Sequence, residues 1–290
     1  MGTTPCRIAH RGDSTTAPEN TFEAVKAAVD FGCEGVEIDV RLTKDNKIVL
    51  MHDEFIDRMV FDGKSRKRNI KLRDMYWHDV KKLKIPYENH LLPDFPEEGV
   101  IKEKLLFDFV DNRMFGQDED FPYKGIGRYT SPALLEDIIY LMQQNKSKVI
   151  LEIECKDKGM APFLEETIIK TNCFDFTILM SGDTSIIDEF QEYFIKEKKS
   201  KNIKLGANIR RLNIHWKNKL EFMEFYEVGL NPDFLTRNDV EYLHNINIDV
   251  FSNLGDYPEW WEKIYDYGID GFKTNYVREY TDWFNKKINV

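Results

Sequence analysis

Short β-rich runs alternate with helical patterns along most of this 290-residue chain, and that alternation restricts the fold more than any other feature. A strand that returns parallel to its predecessor needs a crossover of a dozen residues or more, normally a helix. Strand–helix repetition therefore predicts a parallel sheet covered by helices. The runs fall at 6–9, 35–40, 148–154, 176–180, 203–208, 233–235, 248–252 and 271–274, with helical segments at 21–31, 131–144, 160–171, 183–198, 217–228, 238–245 and 257–267. In the first helix Asn20 is the expected cap with Glu23 three residues on; Phe22, Val25 and Val29 form an apolar stripe, and Gly32 ends it. Eight strands suit a closed (β/α)8 barrel of the TIM type, expected as a single α/β domain over 1–290.

Two stretches break the alternation. Residues 47–51 follow the second strand after only 42–46, too few for a crossover, so a hairpin through Lys44-Asp45-Asn46-Lys47 is expected. A turn centred near Asp45–Asn46 would set Asp39 opposite His52. Residues 54–129 carry the charged run Lys64-Ser65-Arg66-Lys67-Arg68, a short helix near 72–83, and aromatics with prolines around 91–96. An excursion of that length between barrel elements reads as a small inserted subdomain. It leaves directly after His52, so it is expected to sit over the barrel mouth and shape the pocket there.

Charge and hydropathy remove several classes of function. Acidic residues outnumber basic ones by 51 to 41, a net charge of −10, which argues against a nucleic-acid partner. A small phosphate ester is still admissible, because a metal and one or two cations can meet its charge locally. No run approaches the roughly 20 apolar residues of a membrane span, so no stable membrane insertion is expected. The start, MGTTPCRIAH, has no apolar stretch of signal-peptide length, and Cys6 stands where an acylation motif at Gly2 wants Ser or Thr. Cys6, Cys33, Cys155 and Cys173 form no CxxC pair, so free thiols in a cytoplasmic protein are expected.

The chemistry-bearing residues gather at the C-terminal ends of expected strands, the end that holds the active site in barrels of this kind. His10-Arg11-Gly12 closes the first strand, Glu37-Ile38-Asp39 the second, Glu154-Cys155-Lys156 the next parallel one, and His52-Asp53 the hairpin arm. Residues two apart on a strand share a face, so Glu37 and Asp39 point together, as do Glu154 and Lys156. Converging carboxylates repel unless a cation neutralises them, and an all-oxygen set points to Mg²⁺ or Ca²⁺ rather than zinc. Two histidines beside such an ion suit proton transfer near neutral pH. Arg11 and Lys156 suit a phosphoryl group, one as a fork and the other as a point charge. Glu152 shares the inward face with Glu154 one pleat deeper, so either is a candidate ligand; the Glu-x-Lys spacing favours Glu154. His78, His90, His215 and His244 lack such context and read as surface or structural.

His10-Arg11-Gly12, Pro18-Glu19-Asn20-Thr21, Glu37-Ile38-Asp39-Val40, Thr43-x-Asp45, and His52-Asp53 with Asp57-Arg58 follow one another in an order and spacing that resembles the glycerophosphodiester phosphodiesterase family. Leu151-Glu152-Ile153-Glu154-Cys155-Lys156 looks like that family's strand with a third acidic ligand and a lysine, Ser181 ends the next strand, and Gly268-Ile269-Asp270-Gly271 is similar to its closing segment. The likeness is dense over 7–58, thinner at 130–156 and sparse beyond. It implies a barrel with a small insertion after the His-Asp pair. It further implies Glu37, Asp39 and Glu154 as ligands of one divalent metal ion, His10 and His52 as general acid and base, and Arg11 and Lys156 at the substrate phosphate. The activity implied is hydrolysis of a glycerophosphodiester such as glycerophosphocholine to glycerol 3-phosphate and an alcohol, a step of glycerol and lipid metabolism. One route for it passes through a cyclic phosphate.

Phe251-Ser252-Asn253-Leu254 stands where the family has Trp-Thr-Val-Asn, and Thr274-Asn275-Tyr276-Val277 where it has Thr-Asp-x-Pro. Both departures are expected to lie away from the metal and the acid/base pair and to bear on substrate identity. Two alternatives stand beside hydrolysis of glycerophosphodiesters. One is a lysophospholipase D, which needs an apolar entrance such as Phe95, Phe107, Phe109, Phe115 and Phe121 would supply. The other is a non-catalytic barrel that binds phosphate esters, which has no need of a paired acid and base.

Overall fold

In the computed structural model, which describes residues 5–60, 69–87, 128–145, 149–196, 202–256 and 258–288, eight short strands run parallel and close into a barrel. In chain order the strands are β1 (Cys6–His10), β2 (Gly35–Leu42), β3 (Ile48–Leu50), β4 (Ile85–Pro86), β5 (Tyr129–Thr130), β6 (Ile150–Cys155), β7 (Thr177–Ser181), β8 (Lys204–Ile209), β9 (Glu227–Leu230), β10 (Asp249–Ser252) and β11 (Gly271–Thr274). The barrel runs β1-β11-β10-β9-β8-β7-β6-β2, the pairing of β1 with β2 closes it, and β3 is added to β2 as an antiparallel arm. Helices such as Phe22–Phe31, Leu135–Gln144 and Ala161–Thr171 lay apolar faces on the strands, for example Val25 and Val29, Ile138 and Ile139, and Leu164 and Ile168. The architecture is the expected (β/α)8 barrel. Among the described residues no helix is long and apolar enough to cross a membrane, and all four cysteines are free thiols.

Four local expectations are corrected. The helix expected at 217–228 and the strand expected at 233–235 are in fact a helix over Ile214–Leu220 and β9 over Glu227–Leu230. Sequence hides β9 because it carries a glutamate and a glycine into the barrel interior. Glu227 is fully buried there, and the cation it approaches, Lys273, comes from β11. A helix over Val277–Ile288, absent from the sequence reading, follows β11; its Tyr280 stacks on Phe272 with ring centroids 4.5 Å apart. The helix Phe22–Phe31 is capped by Thr21, whose hydroxyl accepts from the Ala24 amide at 3.2 Å, and not by Asn20.

The hairpin arm β3 is antiparallel to β2 as expected, but its register is one residue off. Leu42 faces Ile48 and Val40 faces Leu50, and the Met51 amide donates to the Asp39 carbonyl at 3.0 Å. Asp39 therefore lies opposite Met51, and His52 falls one step beyond. The loop is odd-numbered and centred on Asp45, with Thr43 bonded to Lys47 across it and Asn46 in the left-handed region at φ 59. A one-residue slip would turn a side chain to the other face of a regular strand, but β3 has ended by Leu50, and the loop that follows re-aims His52.

The described ends of the segment 54–129 pack beside this arm. Phe55 bridges Lys71, β4 pairs antiparallel with β5, and Ile56, Met59, Leu72, Val80 and Ile85 share a small core with Val49 and Met51. His90, Lys64–Arg68, the stretch 91–96 and the aromatics Phe95, Phe107, Phe109, Phe115 and Phe121 lie outside the described residues.

Gly12 fixes how the chain turns from β1 toward the first helix. Its φ is +82, and a Cβ there would stand 2.6 Å from the Ala24 carbonyl carbon. Strain and overlap together should make Gly12→Ala destabilising by about 2–4 kcal/mol, read as a lower urea midpoint at unchanged slope. An unchanged midpoint would show that the turn relaxes at no cost.

Candidate active site

Strand register brings the three expected ligands together. His10 of β1 faces Glu37 of β2, and Asp39 of β2 faces Glu154 of β6, so four residues from three adjacent strands rim the same end of the barrel. One oxygen from each of Glu37, Asp39 and Glu154 lies within 4.8 Å of the other two. Glu37 and Asp39 are each only 1 % exposed. Burial, with Asp39 and Glu154 as neighbours, pushes the Glu37 carboxyl well above the usual carboxylate range. Burial pushes Asp39 the same way, but the Lys156 and Arg11 charges overcome it and hold that carboxyl well below its usual range.

Each carboxylate is held by named donors. Glu37 Oε2 accepts from the Arg11 amide at 3.0 Å, while its Oε1 is buried without a hydrogen-bond donor among the described residues. Asn20 grips Asp39 with both ends of its amide: Nδ2 donates to Oδ2 at 2.8 Å, and Oδ1 accepts from the Asp39 amide at 2.9 Å. Lys156 Nζ reaches Asp39 Oδ1 at 3.0 Å and also pairs with Glu154 Oε1; Asn208 Nδ2 donates to Glu154 Oε2 at 2.6 Å. Arg11 pairs through Nε with Asp39 and through Nη1 with Glu19, at 3.1 and 3.0 Å. Its backbone sits in the left-handed region at φ 59, and Asn20 does so at φ 54. Non-glycine residues rarely hold that conformation unless their surroundings over-determine it, as these contacts do.

The two histidines have different supports. His10 Nδ1 lies 2.7 Å from Asn275 Oδ1. Asn275 Nδ2 donates to Asp256 Oδ2 at 2.6 Å, and the Asn275 amide and Thr274 hydroxyl both donate to Asp256 Oδ1. That aims Oδ1 at the ring, so Nδ1 carries the proton and Nε2, 3.8 Å from Glu37 Oε2, presents its lone pair to the site. Burial, reinforced by the Arg11 charge, pushes His10 down to about 4. His52 Nδ1 instead lies 2.8 Å from the Asp53 carboxylate, and Arg58 ties Asp53 to Glu19. Arg41 Nε holds the His52 carbonyl at 2.9 Å. Glu19 also pairs with Arg11, so a chain of ion pairs through Asp53, Arg58 and Glu19 joins the His52 ring to the carboxylate cluster despite the register shift.

Glu152 is fully buried one pleat below Glu154 and pairs with Lys273, so it belongs to the barrel interior and not to the rim. The expectation that the closing-segment departures lie away from the acid/base pair is corrected, because Asn275 bonds His10 directly. Sequence gives Asp256, Asn208 and Lys273 no role, presents Asn275 only as a departure from the family pattern, and gives Asn20 a capping role and a place in the family motif without linking it to Asp39. The one available signal was the departure at Asn275 itself.

Three convergent carboxylates, two of them buried, form a group that could hold a metal ion, and an all-oxygen donor set suits a hard divalent cation. Residues 10–279 match the glycerophosphoryl diester phosphodiesterase family, and the chain belongs to it. Mouse glycerophosphodiester phosphodiesterase 1 is 36% identical over 162 residues, 49% of this chain and 46% of that protein. The chain thus spans about half the length of the curated relatives it matches. The barrel superposes on the glycerophosphodiester phosphodiesterase of Thermotoga maritima with a TM-score of 0.65 at 23% identity, covering 97% of this chain and 99% of the other. It also superposes on an Oleispira antarctica phosphodiesterase in complex with the product sn-glycerol-3-phosphate, with a TM-score of 0.67 at 18% identity and 97% of each chain covered. At these identities the structures establish the shared fold.

Removing the Asn275 carboxamide leaves the His10 tautomer unfixed. Asn275→Ala should lower kcat about 10-fold, the scale of one buried hydrogen bond, with the thermal midpoint shifted by only a few degrees. Unchanged kcat in a folded variant would show that the contact does not hold the ring.

Proposed function

We propose that this chain hydrolyses glycerophosphodiesters to glycerol 3-phosphate and an alcohol, using one divalent cation, Mg²⁺ or Ca²⁺, held by Glu37, Asp39 and Glu154. The observation that carries this reading is the Glu37 carboxylate: its Oε1 is buried with no donor among the described residues, and one of its oxygens lies within 4.8 Å of one oxygen each of Asp39 and Glu154. Such an atom costs free energy unless a cation meets it. When bound, the cation supplies charge neutralisation at the phosphoryl oxygens and a lowered pKa for a coordinated hydroxyl or water.

The remaining work falls to this chain's side chains. Arg11 and Lys156 both pair with Asp39, and in this reading they engage the phosphoryl group. His10, neutral and with Nε2 turned inward, takes the proton from the attacking hydroxyl. Asp53 sits behind the other ring and complements its charge while His52 delivers a proton to the leaving alcohol. In a route through a cyclic phosphate the glycerol hydroxyl attacks first, and the histidines exchange roles when water opens the ring. Residues 54–129, whose described ends pack beside the His52 arm, serve in this reading as the inserted subdomain that shapes the alcohol side of the pocket.

Chelator should abolish turnover of glycerophosphocholine or glycerophosphoethanolamine, and added Mg²⁺ or Ca²⁺ should restore it; full activity in excess chelator would contradict the reading. A panel that includes a lysophospholipid separates this activity from that of a lysophospholipase D. His10→Ala and His52→Ala should each lower kcat by a factor on the order of 10²–10⁴, and the double variant should be little worse than the poorer single one. Near wild-type turnover in either removes that histidine from the mechanism.

A further inference from the structure

Beneath the three carboxylates the barrel interior holds a second charged group that the reaction does not use. Lys273, on β11 and fully buried, pairs with Glu152 and lies 3.7 Å from Glu227 Oε1. Its Nζ also donates to Asn208 Oδ1 at 3.3 Å, and the other end of that amide donates to Glu154 Oε2 at 2.6 Å. An ammonium has donors only, so it selects the oxygen end of the amide and leaves the NH₂ group aimed at Glu154. A flipped amide would set an oxygen against a carboxylate. Both strands are cut back to admit this arrangement: a Cβ at Gly229 on β9 would stand 2.2 Å from Asn208 Oδ1, and one at Gly206 on β8 3.0 Å from Glu227 Cγ.

We propose that Asn208, oriented from below by Lys273, is a positioning residue that sets the Glu154 carboxylate for the divalent cation. The inference rests on the reading of Glu37, Asp39 and Glu154 as the cation's ligands. Lys156 holds one oxygen of Glu154 and Asn208 the other, so the ligand has a fixed rotamer before the cation arrives. Partners of this kind, one shell out from a metal, govern affinity through the orientation of the ligand they touch. The contact path from Lys273 to Glu154 runs through Asn208.

The test is calorimetric titration of the full chain with Ca²⁺ and with Mg²⁺, for wild type, Asn208→Ala, Lys273→Met and the double variant, alongside circular dichroism. Because Lys273→Met strips Glu152 of its counter-charge, Lys273→Met/Glu152→Gln is made in parallel. Asn208→Ala should weaken the cation Kd about 10-fold, with kcat returning to within a few-fold at saturating cation. Lys273→Met should weaken it comparably, and the double variant should be no weaker than Asn208→Ala alone. A wild-type chain that binds neither cation overturns the ligand reading and this inference with it. Wild-type binding with Asn208→Ala unchanged, or additive losses in the double variant, overturns the inference alone.

Discussion

Three carboxylates are forced together at one end of this barrel by strand register, and their mutual repulsion is the condition that the surrounding residues meet. Glu37 and Asp39 share a face because they are two apart on β2, and Asp39 stands level with Glu154 because β2 and β6 pair at those positions. With ligand oxygens within 4.8 Å, each pair repels by roughly 3–4 kcal/mol at an effective dielectric near 20. Three pairs amount to about 10 kcal/mol, as large as the whole stability of a typical domain. Lys156 and Arg11 offset part of that, and both lean on Asp39, the carboxylate they hold well below its usual range. Among the described residues Glu37 Oε2 accepts from the Arg11 amide, and Oε1 has no hydrogen-bond donor.

Fixed geometry follows from the same arrangement. Asn20 and Arg11 both occupy the left-handed region, and both bind Asp39, so local backbone strain is stored beside the carboxylate cluster. The histidines are held one step further out, each by its Nδ1 and by different chemistry. A carboxylate backs His52 and a neutral amide backs His10, with the second ring buried against Arg11. Two imidazoles in unlike surroundings are suited to opposite first roles in proton transfer.

How much of this was legible in the sequence depends on the range of each interaction. Glu37, Asp39, Glu154 and Lys156 could be placed on common faces because a strand's period of two is local, and His10 and Arg11 because strand ends mark themselves. The eight strands were recoverable save β9, where Glu227 and Gly229 look unlike a strand until Lys273 arrives from β11. Asn20 resembles a helix cap, since Asn suits that position, and only the fold reveals that Thr21 caps while Asn20 binds Asp39. Asn275 reaches His10 from the end of the neighbouring strand and Asn208 reaches Glu154 from two strands away, at sequence separations that no local pattern encodes. The hairpin register missed by one residue because an odd loop and an even loop read alike in Lys44-Asp45-Asn46-Lys47.

The central claim is that Glu37, Asp39 and Glu154 together hold one hard divalent cation. Anomalous diffraction from crystals grown with Mn²⁺, a scatterer that accepts the same oxygen ligands as Mg²⁺, tests it most directly. The account predicts a single strong peak bonded to Glu37 Oε1 and to one oxygen each of Asp39 and Glu154, at about 2.0–2.6 Å. A peak bonded elsewhere, or none among these three carboxylates at saturating Mn²⁺, would contradict it.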